Sequence, residues 1–341
     1  AAALPMPTRP HIPVSSRPLP PPLHPPPIPI GAREWALLAT VLYADLFESA
    51  LPLAEAVRGC LGFAPDEAEL RRLAAGPALS SLLRIHPDGF LVLAGRDQLV
   101  DAVPEREALT RALLEKNRAT LLLLSALPFV RALILSGGLA HKNPGTRPDV
   151  DLFVLAAAGR AYTAYTMLFL ATRLTGTRRL ICPNYLVDER ELAVAYHRDV
   201  FTAHQLVSSL PFAGQRSYEA FCDANAEWVR RFFPAFVARQ GTATAPTGVS
   251  AACQSAGELA LRPIAPLIEG VLRFVWRIRL RRRAAAAAHA DVVLADGILK
   301  LHLSDYRRRV MARFSERLEA LRTQLGSEPH LQRPDRDRTA P

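Results

Sequence analysis

Four residues in the stretch "LILSGGLAHKNPGTRPDVDLFVL" (133–155), namely Gly137, Gly138, Asp149 and Asp151, have the types and spacing of a phosphate and metal site. Alternation along a strand puts residues i and i+2 on one face, so Asp149 and Asp151 point the same way while Val150 and Leu152 point to the other. Two carboxylates held side by side repel, a cation relieves the repulsion, and an all-oxygen ligand set suits Mg²⁺ or Mn²⁺. Gly137 and Gly138 close the preceding apolar run, where the missing side chain lets the backbone approach a ligand and offer N–H groups to a phosphate. The ten residues between Gly138 and Asp149 suffice for a short helical turn and a loop. Glycines for phosphate and a carboxylate pair for the bridging metal form a layout for phosphoryl or nucleotidyl transfer. Beside the glycines, Ser136, Lys142 and Asn143 supply a cation and hydrogen-bond donors for a triphosphate, and His141 is a further donor. A loop of this composition would be polar in any case, and Arg147 flanks the acids as a charge offset.

These residues carry a resemblance. "LSGGLAHKNPGTRPDVDLFVL" resembles the signature of the polymerase-β-type nucleotidyltransferase superfamily, in which a Gly-Gly or Gly-Ser turn precedes an Asp-x-Asp/Glu strand; Gly137, Gly138, Asp149 and Asp151 match it residue by residue. From about Arg33 to Leu325 the chain is also similar to bacterial members with an N-terminal winged-helix segment, through "ATVLYADLFESALPLAEAV", "GFLVLAGR", "LICPNYLVD" and "DANAEWVRRFFP". The resemblance implies an α+β fold: a small mixed-sheet nucleotidyltransferase domain, an N-terminal winged-helix domain and C-terminal helices. It implies Mg²⁺-dependent transfer of a nucleoside monophosphate from an NTP to an acceptor hydroxyl, with metal on Asp149 and Asp151. A protein, a small molecule and a nucleic-acid end all remain open as acceptor.

The superfamily's full site adds a third carboxylate on a later strand, which helps deprotonate the acceptor. The matching strand here is "LICPNYLVDERE". Near its middle the residue facing the site is Asn184, which can accept a metal or hydrogen-bond a nucleotide but cannot act as a base. Asp188 lies four residues on and is the candidate third acid, ahead of Glu189 and Glu191; a turn-initiating role for Asp188 is the alternative. A second function therefore stands beside the transferase: a catalytically impaired nucleotide-sensing or DNA/partner-binding regulatory protein. A small toxin–antitoxin-type transferase is a third, which the extra helical regions argue against.

The elements that must position these residues follow from patterning. Apolar spacing predicts helices in "REWALLATVLYADLFES", "PLAEAVRGCLG" and "PDEAELRRLAA", then a hairpin turning at Pro87-Asp88-Gly89. Three short helices and a hairpin are the order of a winged helix-turn-helix, with Glu67–Ala75 near the recognition helix and 89–93 as the wing. Its two arginines among several acids leave DNA and protein contact both open. Residues 105–130 read as one helix, "VRALILSGG", "DVDLFVLAA" and "RRLICPNYLVD" as strands, and "AYTAYTMLFLATRLTG" as a helix ended by Gly176. Later, "RDVFTAHQLVSSL", "SYEAFCDANAEWVRRFFPAF", "AGELALRPIAPLIEGVLRFVWRIRLRRRAAAAAHA" and "HLSDYRRRVMARFSERLEALRTQL" read as helices, and the polar "ARQGTATAPTGVSAACQS" (238–255) as a linker or exposed loop. The domains expected are a proline-rich tail over 1–30, a winged-helix-like domain over 31–104, a nucleotidyltransferase domain over 105–240, a helical region over 255–325 and a tail over 326–341.

Composition sets the bounds. With 341 residues and 50% hydrophobic content the chain can bury a sizeable core. Much of the 29-residue proline complement lies in the first thirty positions, which lack the apolar core and cleavage site of a secretory signal, so a cytoplasmic protein is expected. Pro128 and Arg131 interrupt the most apolar window, so no membrane partner is expected. Cys60, Cys182, Cys222 and Cys253 are scattered and read as reduced thiols. The net charge of +10 attracts phosphate-bearing partners, and its densest run is "RIRLRRR" (277–283). His197, His204 and His302 lack metal-ligand spacing, and Trp228, Phe232, Phe233 and Phe236 read as core.

Overall fold

The computed structural model describes residues 14, 15, 17, 19, 29–145, 148–241, 248–286, 291–302 and 306–325. Most of the tail expected over 1–30, Arg147 and the tail expected over 326–341 lie outside them. The described chain divides into two compact units, one of residues 102–232 and 236–309, the other of residues 14–101, 233–235 and 310 onward.

In the smaller unit, α1 (Ala32–Asp45) leads through β1 (Leu51–Pro52) to α2 (Leu53–Arg58) and α3 (Glu67–Ala75), then to β2 (Leu83–Ile85), β3 (Phe90–Leu93) and α4 (Gln98–Asp101). The strands form an antiparallel sheet in the order β1-β3-β2. Each start is legible: the Asp66 side chain accepts the Glu69 N–H and caps α3, and Gly89 takes φ +83 where the hairpin reverses. The basic residues of α3 are occupied by its own acids. Arg71 pairs with Glu67 at 2.8 Å and Arg72 with Glu69 at 3.8 Å, and Arg33 on α1 also reaches Glu69 at 2.6 Å.

The larger unit opens with α5 (Val103–Ser125), then β4 (Val130–Ser136), the single turn α6 (Gly137–Ala140), β5 (Val150–Ala156), α7 (Ala161–Leu174) and β6 (Ile181–Asp188). It continues through α8 (Val200–Ser208), β7 (Leu210–Ala213), α9 (Gln215–Arg230), α10 (Gly248–Leu261), α11 (Ala265–Ala285), β8 (Asp291–Leu294) and β9 (Ile298–His302). The last helix, α12 (Tyr306–Leu325), begins here, but from Val310 onward it belongs to the smaller unit. The sheet order is β7-β4-β5-β6-β9-β8, with β5 and β6 parallel and every other pair antiparallel. Leu133, Leu135, Val150, Leu152, Val154, Leu299 and Leu301 turn one face into a core with Tyr162, Tyr165 and Leu168 of α7 and Trp276 and Leu280 of α11. By alternation the opposite face carries Ser136, Asp151, Phe153 and Tyr185.

Some expectations are corrected. The region expected as helical over 255–325 contains the β8–β9 hairpin, which extends the sheet past β6, Leu210–Ala213 forms a strand on β4, and α10 begins at Gly248, inside the stretch expected as a linker over 238–255. Three glutamate contacts join α11 to α7: buried Glu269 accepts the Tyr162 N–H (2.9 Å), the Thr163 N–H (2.8 Å) and the Thr163 hydroxyl (2.6 Å).

Candidate functional site

β4 delivers the site to the sheet edge. Ser136, its last residue, lies opposite Asp151 in the ladder, and the Ser136 hydroxyl donates to the Asp151 carbonyl at 3.4 Å. Gly137 follows with φ +62, and a Cβ there would lie 2.6 Å from Asp151 Oδ2. Only glycine satisfies both demands, because the left-handed conformation strains other residues and the carboxylate fills the space a side chain would need. Gly138 accepts the Asn143 N–H at 2.8 Å, which folds the loop back on the turn. Asp149 immediately precedes β5 and Asp151 is its second residue; both are half-buried.

Asn184 completes this edge. Leu152 pairs with Pro183 and Phe153 with Tyr185, so Asn184 is the extra residue of a β-bulge. The bulge aims its side chain at Asp151: Asn184 Nδ2 donates a hydrogen bond to Asp151 Oδ1. The amide is 6% exposed, and its Oδ1 is buried with no hydrogen-bond partner among the described residues. An unsatisfied buried acceptor is costly, and one beside two carboxylates suits a cation. Among the described residues no group of three or more His, Cys, Asp and Glu forms a metal cage. The candidate donors at this edge are the Asp149 and Asp151 carboxylates and, if the Asn184 amide turns its oxygen to them, that amide oxygen. That set fits Mg²⁺, which is commonly held by one or two carboxylates with phosphate oxygens and waters filling the rest.

The other expected residues divide. Asn143 is buried and holds the loop through its backbone. Lys142 pairs with Glu107 on α5, 2.8 Å away, in an exposed ion pair of small worth. Asp188 is not a third carboxylate for this site. Asp151 is level with Cys182 and Asp188 with Ala156, so five residues of β5 separate them, about 16 Å at the rise of a strand. Asp188 is fully buried there and accepts the Gly159 N–H (2.8 Å), the Arg190 N–H (2.9 Å) and the Arg190 guanidinium (2.8 Å). Glu189, whose N–H pairs with the Ala156 carbonyl, belongs to the same far end.

Several neighbours of the site carried no local signal. Tyr306, at the start of α12, is near enough to Asp151 that the carboxylate, after burial, contributes to pushing its phenol pKa up. Phe153 stacks on Tyr185 at 4.8 Å and touches Phe221 at 4.7 Å, so an aromatic floor lies next to Asp151 on the same face. Tyr185 is level with Lys300, which pairs with Asp291 at 2.7 Å, and Arg307 binds Asp199 at 2.5 Å and reaches Asp291 at 4.0 Å. Burial is the largest cause lowering the Lys300 pKa. In the loop after α6, His141 stacks on His204 of α8 with ring centres 5.0 Å apart. Burial lowers the His141 pKa to about 4 and takes His204 well below the ordinary imidazole value, with the Arg239 charge adding to both.

The chain is thus a mixed α+β protein whose larger unit places a glycine turn, two aspartates and an asparagine at one edge of a mixed sheet. No protein-family model, no curated protein and no solved structure matches it. Among the described residues no helix is long and apolar enough to cross a membrane.

Proposed function

We propose that the chain binds a nucleoside triphosphate with Mg²⁺ or Mn²⁺ at the Gly137/Asp151 edge, in a nucleotidyltransferase-type domain that senses the nucleotide instead of transferring it rapidly. Asn184 carries this reading. It occupies the place from which a third carboxylate would face the pair, and its amide cannot take a proton from an acceptor hydroxyl. Asp149, Asp151 and the Asn184 amide oxygen would hold the metal, which when bound neutralises phosphate charge. Gly137 lets Asp151 press against the backbone, Ser136 fixes the strand opposite it, and the Phe153/Tyr185/Phe221 floor offers rings beside the acids. The smaller unit, with its winged-helix-like order of helices and strands, serves as the output. Partner contact suits it better than DNA, because Arg33, Arg71 and Arg72 are spent on Glu67 and Glu69.

A second reading keeps nucleotidyl transfer to an acceptor hydroxyl of a protein, small molecule or nucleic acid, with pyrophosphate release. The retention of both motif acids favours it. Calorimetric titration of each NTP with Mg²⁺ or Mn²⁺, alongside pyrophosphate release, separates the two, with an Asp149→Ala/Asp151→Ala variant as control. Metal-dependent binding with release no faster than in the variant is expected. Turnover would move the conclusion to the transferase, and no metal-dependent binding would sink both.

A further inference from the structure

The outer face of α11 is apolar where a surface helix is normally polar. At about 100° per residue, Ile264, Leu267, Val271, Phe274, Val275 and Ile278 form one ridge roughly opposite buried Glu269, Trp276 and Leu280. Leu267 is 70% and Phe274 67% exposed, and the ridge holds six of the thirteen exposed large apolar residues among those described. It runs about 21 Å at 1.5 Å per residue. Arg281 and Arg282 continue the same ridge at its C-terminal end, both exposed and without an ion pair among the described residues, and exposed Arg279 flanks it over the Trp276 ring. Arg273 and Arg277, each 2.9 Å from Asp296, share that one carboxylate.

We propose that this ridge docks on an anionic lipid surface, lying in the plane of the membrane with its apolar side chains at the headgroup boundary and Arg279, Arg281 and Arg282 on lipid phosphates. This departs from the sequence expectation of no membrane partner. Charge selects this occupant. The one acid of α11, Glu269, is buried against Tyr162 and Thr163, so a second copy of the ridge would bring more arginines and no carboxylate to meet them. A nucleic acid would satisfy the arginines but leave four turns of exposed apolar side chain in water. An acidic lipid surface satisfies both.

Vesicle flotation of the purified full chain tests this, with phosphatidylglycerol and phosphatidylcholine vesicles at low and physiological salt. Binding to the anionic vesicles alone is expected, weakened by salt. Arg281→Ala/Arg282→Ala should lose roughly thirtyfold in affinity, at about 1 kcal/mol per arginine near the surface. Phe274→Asp, at an exposed position where the melting curve should stay unchanged, should abolish flotation. Equal binding to both vesicle types, binding indifferent to Phe274→Asp, or no binding at low salt would each overturn the proposal. A dimer by light scattering that Phe274→Asp dissolves, without flotation, would assign the ridge to a second copy.

Discussion

An amide and a carboxylate have nearly the same shape, so the character of the sheet edge at Asn184 turns on charge alone. The Asn184 N–H₂ donates to Asp151 and dampens the repulsion between the motif acids. Asn184→Asp removes that donor and adds a like charge. In chelator the variant should melt lower, by about 1–2 kcal/mol or a few degrees, and millimolar Mg²⁺ should restore more stability to it than to the parent. Thermal scans with and without Mg²⁺ check this, and a melting point indifferent to metal in both proteins would remove the metal from the site. Asn184's orientation was legible in the sequence because alternation reports the face of a strand. Asp188 was not: the bulge at Asn184 shifts the alternation, so Asp188 is level with core-facing Ala156, and its height along the strand is set by the long-range parallel pairing of β6 with β5. Tyr306 was illegible, since nothing near it in sequence places it beside Asp151.

At the scale of elements, the loop between β4 and β5 is fixed to α8 by the His141–His204 stack, and that contact requires uncharged rings. Both pKa values lie below the ordinary 6.5, so the unfolded chain takes up these protons as pH falls below 6.5 while the folded chain resists until about 4 at His141. The native state binds fewer protons in that window, so stability is full above 6.5 and declines as pH drops toward 4. His197, also lowered chiefly by burial, acts in the same direction, so the comparison must be with a variant. A His141→Phe/His204→Phe protein keeps ring stacking and should show a shallower fall in melting temperature between pH 6.5 and 5. Parallel slopes would show that the pair stays uncharged for some other reason or ionises without cost. The strands β4, β5 and β6 are readable from apolar runs and glycine, whereas the strands in "DVVLADGILKLH" (291–302) are harder to see. Its Asp296-Gly297 pair between apolar runs is a hairpin signal, masked by the alanine- and arginine-rich helix before it. Leu210–Ala213 is four residues with a proline, too short for a pattern to rise above its surroundings.

At the scale of the molecule, the chain is not laid out as successive beads, because residues from Val310 onward belong with those near the N-terminus. No local pattern announces that return, which brings together a buried charge cluster and apolar side chains. Asp45 of α1, 2% exposed, is approached by Arg96 at 3.3 Å and by Arg317 of α12 at 2.5 Å, and Tyr43 meets Phe314 edge-on at 5.1 Å. Burial is the largest influence on Arg317 and lowers its pKa, while the Asp45 carboxylate beside it opposes that shift. Removing one member of a buried ion pair leaves the other uncompensated, at a cost of about 3–5 kcal/mol. Arg317→Ala should therefore destabilise the smaller unit by about 3 kcal/mol, since Arg96 still offsets part of the Asp45 charge. Arg322→Ala, which breaks the exposed pair with Glu319 on the same helix, should change stability by no more than about 0.5 kcal/mol. Amide hydrogen exchange resolves the difference: α1 and β3 should exchange faster in the Arg317 variant while β4 and β5 keep their protection. Equal effects of the two substitutions would mean that α12 contributes to this unit by apolar packing alone, through Val310, Phe314 and Leu321.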